Sequence, residues 1–248
     1  MSKTKFLVGL LVLLCILFVI FQFNEYEQLS CITRSLIVPM FTLLYFQSAR
    51  RKSFYFSMFL ILFSTTELTS LVSNYLPYTV DYYFGNGLYI AAYIFLILEV
   101  FRSLNFHYVL NNYSMHLIVL TALDVYVMYI LLKVTPDISL LTMEYYVEIT
   151  YNLAMLILLS VSLLNYFYKD TRKSFLLFVG SLCLVFSEVI LIYYMYIETE
   201  KKNLLIFSSS FLLILGFYFL YSQSNYRIKE PNNEKEFIAQ EATKYLPK

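Results

Sequence analysis

The segment FYFSMFLILFSTTELTSLVSNYL, residues 54–76, is apolar over most of its length and contains a single charged side chain, Glu67. A helix needs about 20 predominantly apolar residues to cross ~30 Å of hydrocarbon, and this segment meets that length. It therefore predicts a membrane-spanning helix, and it raises the question of why one carboxyl group lies inside it.

The composition of the whole chain agrees with a lipid environment. Hydrophobic residues make up 60% of the sequence and charged residues 14%, whereas soluble domains carry about 25% charge. The net charge of +1 provides no basic surface, so we expect no nucleic-acid partner. Cys15, Cys31 and Cys183 lack metal-like spacing, and dinucleotide, P-loop and zinc-protease motifs are absent from the sequence. We therefore predict no disulfide, no metal site and no cofactor.

Apolar segments of similar length recur along the chain. They cover residues 6–23, 29–47, 54–76, 83–101, 114–134, 145–168, 174–196 and 204–222. The sequence thus predicts an all-α fold, a polytopic membrane helical bundle of about eight transmembrane helices within residues 1–226, followed by a polar cytoplasmic tail at 227–248. The first segment resembles a signal peptide but lacks a small-residue cleavage site after it, so we interpret it as a membrane anchor.

The basic residues between these segments predict the orientation of the chain. With eight spans, most of the 18 lysines and arginines fall on the side of the two termini. The opposite side holds only Lys133, Lys201 and Lys202. By the positive-inside rule both termini lie in the cytoplasm, and we expect an integral protein of the bacterial inner membrane.

Five charged residues lie more than two residues from either end of the predicted spans, although each costs roughly 2.5–3.5 kcal/mol on insertion scales. They are Arg34, Glu67, Asp124, Glu148 and Glu188. Counted from the helix ends at about 1.5 Å per residue, all five fall between the outer face and the midplane. This common depth predicts a polar cavity open to the outer half of the bundle.

These residues also have purely structural interpretations. Arg34 and Glu148 lie near enough to the outer face to snorkel to the headgroups. Asp124 could stay protonated in a packing hydrogen bond or pair with Tyr126 or Tyr129, and the TTELTS run around the first glutamate could serve helix packing.

Glu67 and Glu188 have the weakest structural explanation, because both lie deep and both follow hydroxyl residues. Their spans are four helices apart and run in the same direction, which indicates a four-plus-four internal repeat that supplies one acid from each half.

Short motifs in span order resemble those of a known family. The second span reads RSLIVP at 34–39, the third contains Thr66-Glu67, and the seventh reads GSLCLVFSE at 180–188. They are similar to the Lys-Pro-Leu-x-x-Pro, Gly-Asp and Ser-Asp patterns of the YhhN family of eight-span membrane proteins, which includes the lysoplasmalogenases. The arginine of the first motif takes the place of the family's lysine, and the serine after it departs from the pattern. Both family aspartates appear here as glutamates, so the carboxylates are retained one methylene further from the backbone.

Two more segments extend the resemblance. YNLAM at 151–155 has the family's spacing of tyrosine and methionine, and FGNGLYIAAYIF at 84–95 has Tyr93 where a histidine often stands. The resemblance implies hydrolysis of the vinyl ether bond of lysoplasmalogen to a fatty aldehyde and a glycerophospho-base. The expected partner is then a membrane lipid or lysophospholipid.

Two carboxyl groups suit this chemistry. Protonation of the vinyl ether β-carbon gives an oxocarbenium ion that water captures, so one acid must be protonated and the other ionised. Two nearby carboxyl groups in a low-dielectric site divide in this way, because they do not both ionise easily. We predict Glu67 and Glu188 as the catalytic pair, with Arg34 either binding the phosphate or holding one glutamate ionised. The predicted substrate-binding residues are Arg34, Asp124, Glu148, Tyr93 and Tyr151.

Two other classes of function remain open from the sequence. A non-catalytic lipid-binding or transport protein would use the acids as a proton relay or cation site. The cytoplasmic halves of the third and seventh spans, FYFSMFLILF and SFLLFVGSLCLVF, are almost wholly apolar, which favours an enzyme or lipid-binding protein over a transporter. A structural protein would pair the acids with hydroxyl groups and the arginine and enclose no pocket.

Overall fold

The computed structural model describes residues 3–49, 51–134, 142–197 and 202–226. These residues form nine α-helices and one 3-10 segment, Ser70–Tyr75, which continues directly from the third helix. In chain order, α1 to α9 are Lys3–Phe23, Glu27–Ser48, Phe54–Thr69, Tyr78–Phe101, Phe106–Asn112, Ser114–Val134, Met143–Lys169, Arg172–Ile197 and Lys202–Asn225. The predicted tail at 227–248 lies outside the described residues.

Within the described part of the chain, eight helices are long and apolar enough to cross a membrane. This confirms the predicted all-α bundle of eight spans and identifies an integral membrane protein. The sequence analysis did not predict α5, a two-turn helix between the fourth and fifth spans. Asn105 caps α5 by accepting a hydrogen bond from the Tyr108 N–H at 3.3 Å, which satisfies one of the free donors of its first turn.

Short connections place consecutive spans side by side. α1 packs on α2, α3 on α4, and α8 on both α7 and α9. Two further contacts, α4 with α7 and α2 with α9, join the first half of the chain to the second. In each of these contacts the fourth span of one half packs on the second span of the other. The first spans of the halves, α1 and α6, are both peripheral, with 11% and 6% of their apolar windows buried against 56% for α2. This neighbour pattern agrees with the predicted four-plus-four repeat.

The backbones of α8 and α9 approach each other closely at two glycines. A Cβ atom at Gly180 would lie 2.9 Å from Leu220 Cγ and 3.2 Å from the Gly216 carbonyl oxygen. A Cβ atom at Gly216 would lie 3.0 Å from Leu184 Cδ2 and 3.1 Å from the Gly180 carbonyl oxygen. Glycine at both positions therefore allows the close approach that drives helix association in lipid.

Aromatic rings fill the centre of the bundle. The Phe63 ring centroid lies 4.9 Å from those of Tyr89 and Phe217, and Phe59 stacks on Phe217 at 5.7 Å. Because Phe63 lies one helical turn before Glu67 on α3, this layer forms an apolar floor on one side of the first buried acid.

Candidate functional site

The hydroxyl groups around Glu67 mainly bind the backbone of their own helix. Thr66 donates to the carbonyl oxygen one turn earlier at 3.0 Å, and Ser70 donates to the Glu67 carbonyl oxygen at 2.7 Å. Bonds of this kind compete with the regular helical pattern, and α3 changes to 3-10 geometry at Ser70. Ser70 also contacts Ser35 of α2 at 3.2 Å. The hydroxyl residues of the TTELTS run thus account for the change of helix type and for one interhelical contact. They do not explain why a glutamate lies among them.

Glu67 is 2% exposed and has different partners on its two oxygens. Tyr89 of α4 donates its hydroxyl to Oε1 at 3.0 Å. Oε2 lies 3.8 Å from Arg34 Nη2 of α2 and has no hydrogen-bond partner among the described residues. Burial without a hydrogen bond is costly for a carboxylate oxygen, so the ion pair with Arg34 is the main interaction that stabilises a charge there.

The immediate neighbours of Glu188 are phenols. It is 8% exposed, and Tyr93 donates its hydroxyl to Oε1 at 3.3 Å. The Tyr151 ring packs edge-on against Tyr93, with centroids 5.7 Å apart, and Tyr151 also interacts with Glu188. No salt bridge to Glu188 occurs in the part of the chain that the structure describes.

These side chains form one cluster at the meeting of α2, α3, α4, α7 and α8. We call it the acid cluster, and its members are Arg34, Glu67, Tyr89, Tyr93, Tyr151 and Glu188. The two carboxyl groups interact electrostatically with each other, and Arg34 interacts with both. The Arg34 side chain is 22% exposed, so the cluster reaches the protein surface on the Arg34 side.

Asp124 and Glu148, also predicted as site residues, have other partners. Asp124 accepts a hydrogen bond from Ser160 at 2.6 Å, which joins α6 to α7 and replaces the tyrosine contact considered from the sequence. Glu148 is buried and lies 3.5 Å from the side-chain amide of Asn152 on its own helix. Among the described residues, no hydrogen bond or salt bridge joins either acid to the acid cluster.

Tyr89 is the member of the acid cluster that sequence reasoning missed. Tyr89 and Tyr93 are four residues apart in α4, so both project from the same helix face. Tyr89 donates a hydrogen bond to Glu67, and Tyr93 donates one to Glu188. The sequence contained this spacing as YIAAY, and applying it to Tyr93 would have identified Tyr89.

The acid cluster places Glu67 in a salt bridge with Arg34 and Glu188 beside two phenols. Paired-carboxyl acid–base chemistry requires two acids in unequal environments of this kind. No family model, no curated protein and no solved structure matches the chain.

Proposed function

We propose that this protein is an integral membrane hydrolase that cleaves the vinyl ether bond of lysoplasmalogens at the acid cluster. The observation that carries the proposal is the pair of buried carboxyl groups on α3 and α8, of which Glu67 forms a salt bridge to Arg34 whereas Glu188 forms none among the described residues. The resemblance of RSLIVP, Thr66-Glu67 and GSLCLVFSE to motifs of the YhhN family supports the choice of substrate class.

The environments assign a role to each acid. A cation within about 4–6 Å favours the ionised form of a carboxyl group, and a nearby negative charge favours the neutral form of a second one. Arg34 therefore supports an ionised Glu67, and the charge on Glu67 supports a protonated Glu188. Glu188 is then the general acid and Glu67 the general base.

The reaction follows from these roles. Glu188 donates its proton to the β-carbon of the vinyl ether, which leaves an oxocarbenium ion stabilised by the ether oxygen. Water attacks the α-carbon and gives a proton to Glu67. The product of this step is a hemiacetal. The hemiacetal hydroxyl returns a proton to Glu188, the C–O bond breaks, and the departing glycerol oxygen takes the proton from Glu67. One water is consumed, one aldehyde and one alcohol are formed, and both acids regain their starting states.

The exposure of Arg34 favours substrate entry from that side. A lysolipid has a phosphate and a single chain, and a partly exposed guanidinium can attract the phosphate while it keeps Glu67 ionised. The chain would lie against the apolar helices. We infer from the distribution of basic residues that both termini are cytoplasmic, so this entrance belongs to the outer half of the membrane.

The aromatic floor supports an enzyme over a transporter. Phe59, Phe63 and Phe217 are fully buried, and they occupy the centre of the bundle on the side of the acid cluster towards the start of α3. A proton or cation path through the protein would need polar groups in that layer.

The test measures aldehyde and headgroup release from lysoplasmalogen, and fatty acid release from an ester lysolipid, by the purified protein. We expect aldehyde from the vinyl ether lipid alone, with a loss of about 100-fold or more in Glu67→Gln and Glu188→Gln, as is typical for removal of a general acid or base. Glu27→Gln, an exposed glutamate on α2, is the matched control and should retain activity. Full activity in both cluster variants would refute the catalytic pair, and saturable lipid binding without product would indicate a binding protein instead.

A further inference from the structure

A polar pocket lies between α4, α7, α8 and α9, towards the end of the bundle opposite the acid cluster. Its volume is about 70 Å³. Since about 10–15 Å³ is enough for one water molecule, the pocket has room for a group of several heavy atoms. We call it the α7–α8 pocket, after the turn at its rim.

Two buried amide side chains line the α7–α8 pocket without full hydrogen bonding. Gln223 of α9 is 5% exposed, and its side chain has no hydrogen-bond partner among the described residues. Asn165 of α7 is 3% exposed and accepts a hydrogen bond from Ser103 at 2.9 Å, while its Nδ2 has no partner among those residues. Because both amides line the pocket, their N–H groups can donate to a polar occupant.

Two lysines line the same pocket, where their charges interact with each other and Lys169 is also attracted by Glu99. Lys169 ends α7 and Lys173 lies in the first turn of α8. The tight turn between them, with Asp170 in the left-handed conformation at φ 42°, brings both ammonium groups to the pocket, where they repel each other. Neither lysine forms a salt bridge within the described ranges. An anion in the pocket would relieve this repulsion.

One acid also faces the α7–α8 pocket and limits the ligands it suits. Glu99 lines the pocket but accepts a hydrogen bond from Ser53, which holds its carboxylate towards α3. The two lysines outnumber this single acid, so the pocket is positive overall. Two ammonium groups with adjacent amide donors match the several acceptor oxygens of a phosphate group.

We propose that the α7–α8 pocket binds a phosphate-bearing ligand, with Lys169 and Lys173 neutralising the phosphate and Gln223 and Asn165 donating to its oxygens. A phospholipid headgroup and a free phosphate ester share this chemistry. The proposal is independent of the hydrolase activity, because the pocket shares no residue with the acid cluster.

The test has two binding arms on the full chain purified in detergent. Native mass spectrometry counts retained molecules of added phosphatidylglycerol, and isothermal titration measures binding of glycerol 3-phosphate. We expect one saturable site in at least one arm. The double variant Lys169→Gln/Lys173→Gln should weaken binding by about ten-fold or more, as expected for lost charge-assisted hydrogen bonds. Gln223→Leu should weaken it less, and Glu99→Gln should strengthen it because one negative charge is removed.

Matched controls separate the α7–α8 pocket from surface charge and from misfolding. Arg102→Gln and Gln47→Leu change exposed residues and should bind normally, and helical content confirms that each variant is folded. Binding of the lipid alone identifies a headgroup site, whereas binding of glycerol 3-phosphate identifies a site for a free phosphate ester. If neither ligand saturates, or if the control variants lose as much affinity as the lysine variant, the proposal is wrong and water fills the pocket.

Discussion

Arg34 and Glu67 form one ion pair, yet we expect removal of the arginine to destabilise the protein more than removal of the glutamate. Breaking a buried pair costs about 3–5 kcal/mol, because it leaves an uncompensated charge. Arg34→Met leaves such a charge on Glu67, which is 2% exposed and keeps only its hydrogen bond from Tyr89. Since the pair is separated by 3.8 Å and Arg34 is 22% exposed, we expect a loss near the lower limit, about 2–3 kcal/mol.

Removal of the glutamate should reduce the free energy of unfolding by less. Glu67→Gln keeps an acceptor for Tyr89 and leaves a guanidinium that already reaches the surface, and a long side chain of this kind can turn its charge towards solvent. We expect a loss of about 1 kcal/mol. The double variant carries no charge at either position of the pair, so its loss should be smaller than the sum of the two single losses by about 1.5–2 kcal/mol, within the range measured for directly interacting residues.

The assay is thermal unfolding of the parent protein and the three variants in one detergent. At roughly 2–4 °C per kcal/mol for a chain of this size, Arg34→Met should lower Tm by about 5–10 °C, and adding Glu67→Gln should recover part of that loss. Arg51→Met changes an exposed arginine and should leave Tm unchanged. Additive losses, or a larger loss from Glu67→Gln than from Arg34→Met, would show that the charge of the buried glutamate does not depend on Arg34.

Three further predictions test the bundle and the acid cluster. Gly216→Ala should lower Tm by a few degrees because its Cβ would lie 3.0 Å from a leucine of α8, whereas Gly87→Ala, with no atom within 4 Å of its Cβ, should be neutral or stabilising. Tyr89→Phe removes the hydroxyl that donates to Glu67, so aldehyde release should fall by about ten-fold while lipid binding is retained; unchanged release would exclude Tyr89 from catalysis. Asp124→Asn should reduce Tm slightly without changing aldehyde release, and a loss as large as that of the glutamate variants would place Asp124 in the active site.

The sequence predicted the spans well because membrane insertion depends on length and mean hydropathy, which are properties of a segment alone. Each predicted span corresponds to one long helix. The sequence did not predict α5, and the reason is the opposite one. It is only seven residues long and lies between two spans, so it provides neither the length nor the apolar run that identified the others.

The site residues show what a residue's depth in the membrane does not predict. The depth of a residue along a helix does not specify the direction in which its side chain points. Asp124 was therefore predicted as a site residue by the same depth argument as Glu188. The structure places Asp124 on peripheral α6, where it faces Ser160. Five of the seven predicted site residues lie together in the acid cluster, namely Arg34, Glu67, Glu188, Tyr93 and Tyr151, whereas Asp124 and Glu148 have other partners. Hydroxyl partners such as Tyr89 could be found only by combining depth with the four-residue helical period.

The predicted repeat would place acids with the two proposed roles at similar positions. Glu67 and Glu188 occupy the third spans of the two halves, and each accepts a hydrogen bond from a tyrosine of α4. The second spans differ, because α2 supplies the Arg34 guanidinium to Glu67, whereas α7 supplies the Tyr151 ring beside Glu188. A symmetric pair of acids would share its proton equally between two equivalent sites. Because α2 supplies a guanidinium to Glu67 and α7 supplies a phenol to Glu188, the two acids have unequal surroundings. In the proposed mechanism, this inequality is what would allow one acid to donate a proton while the other accepts one.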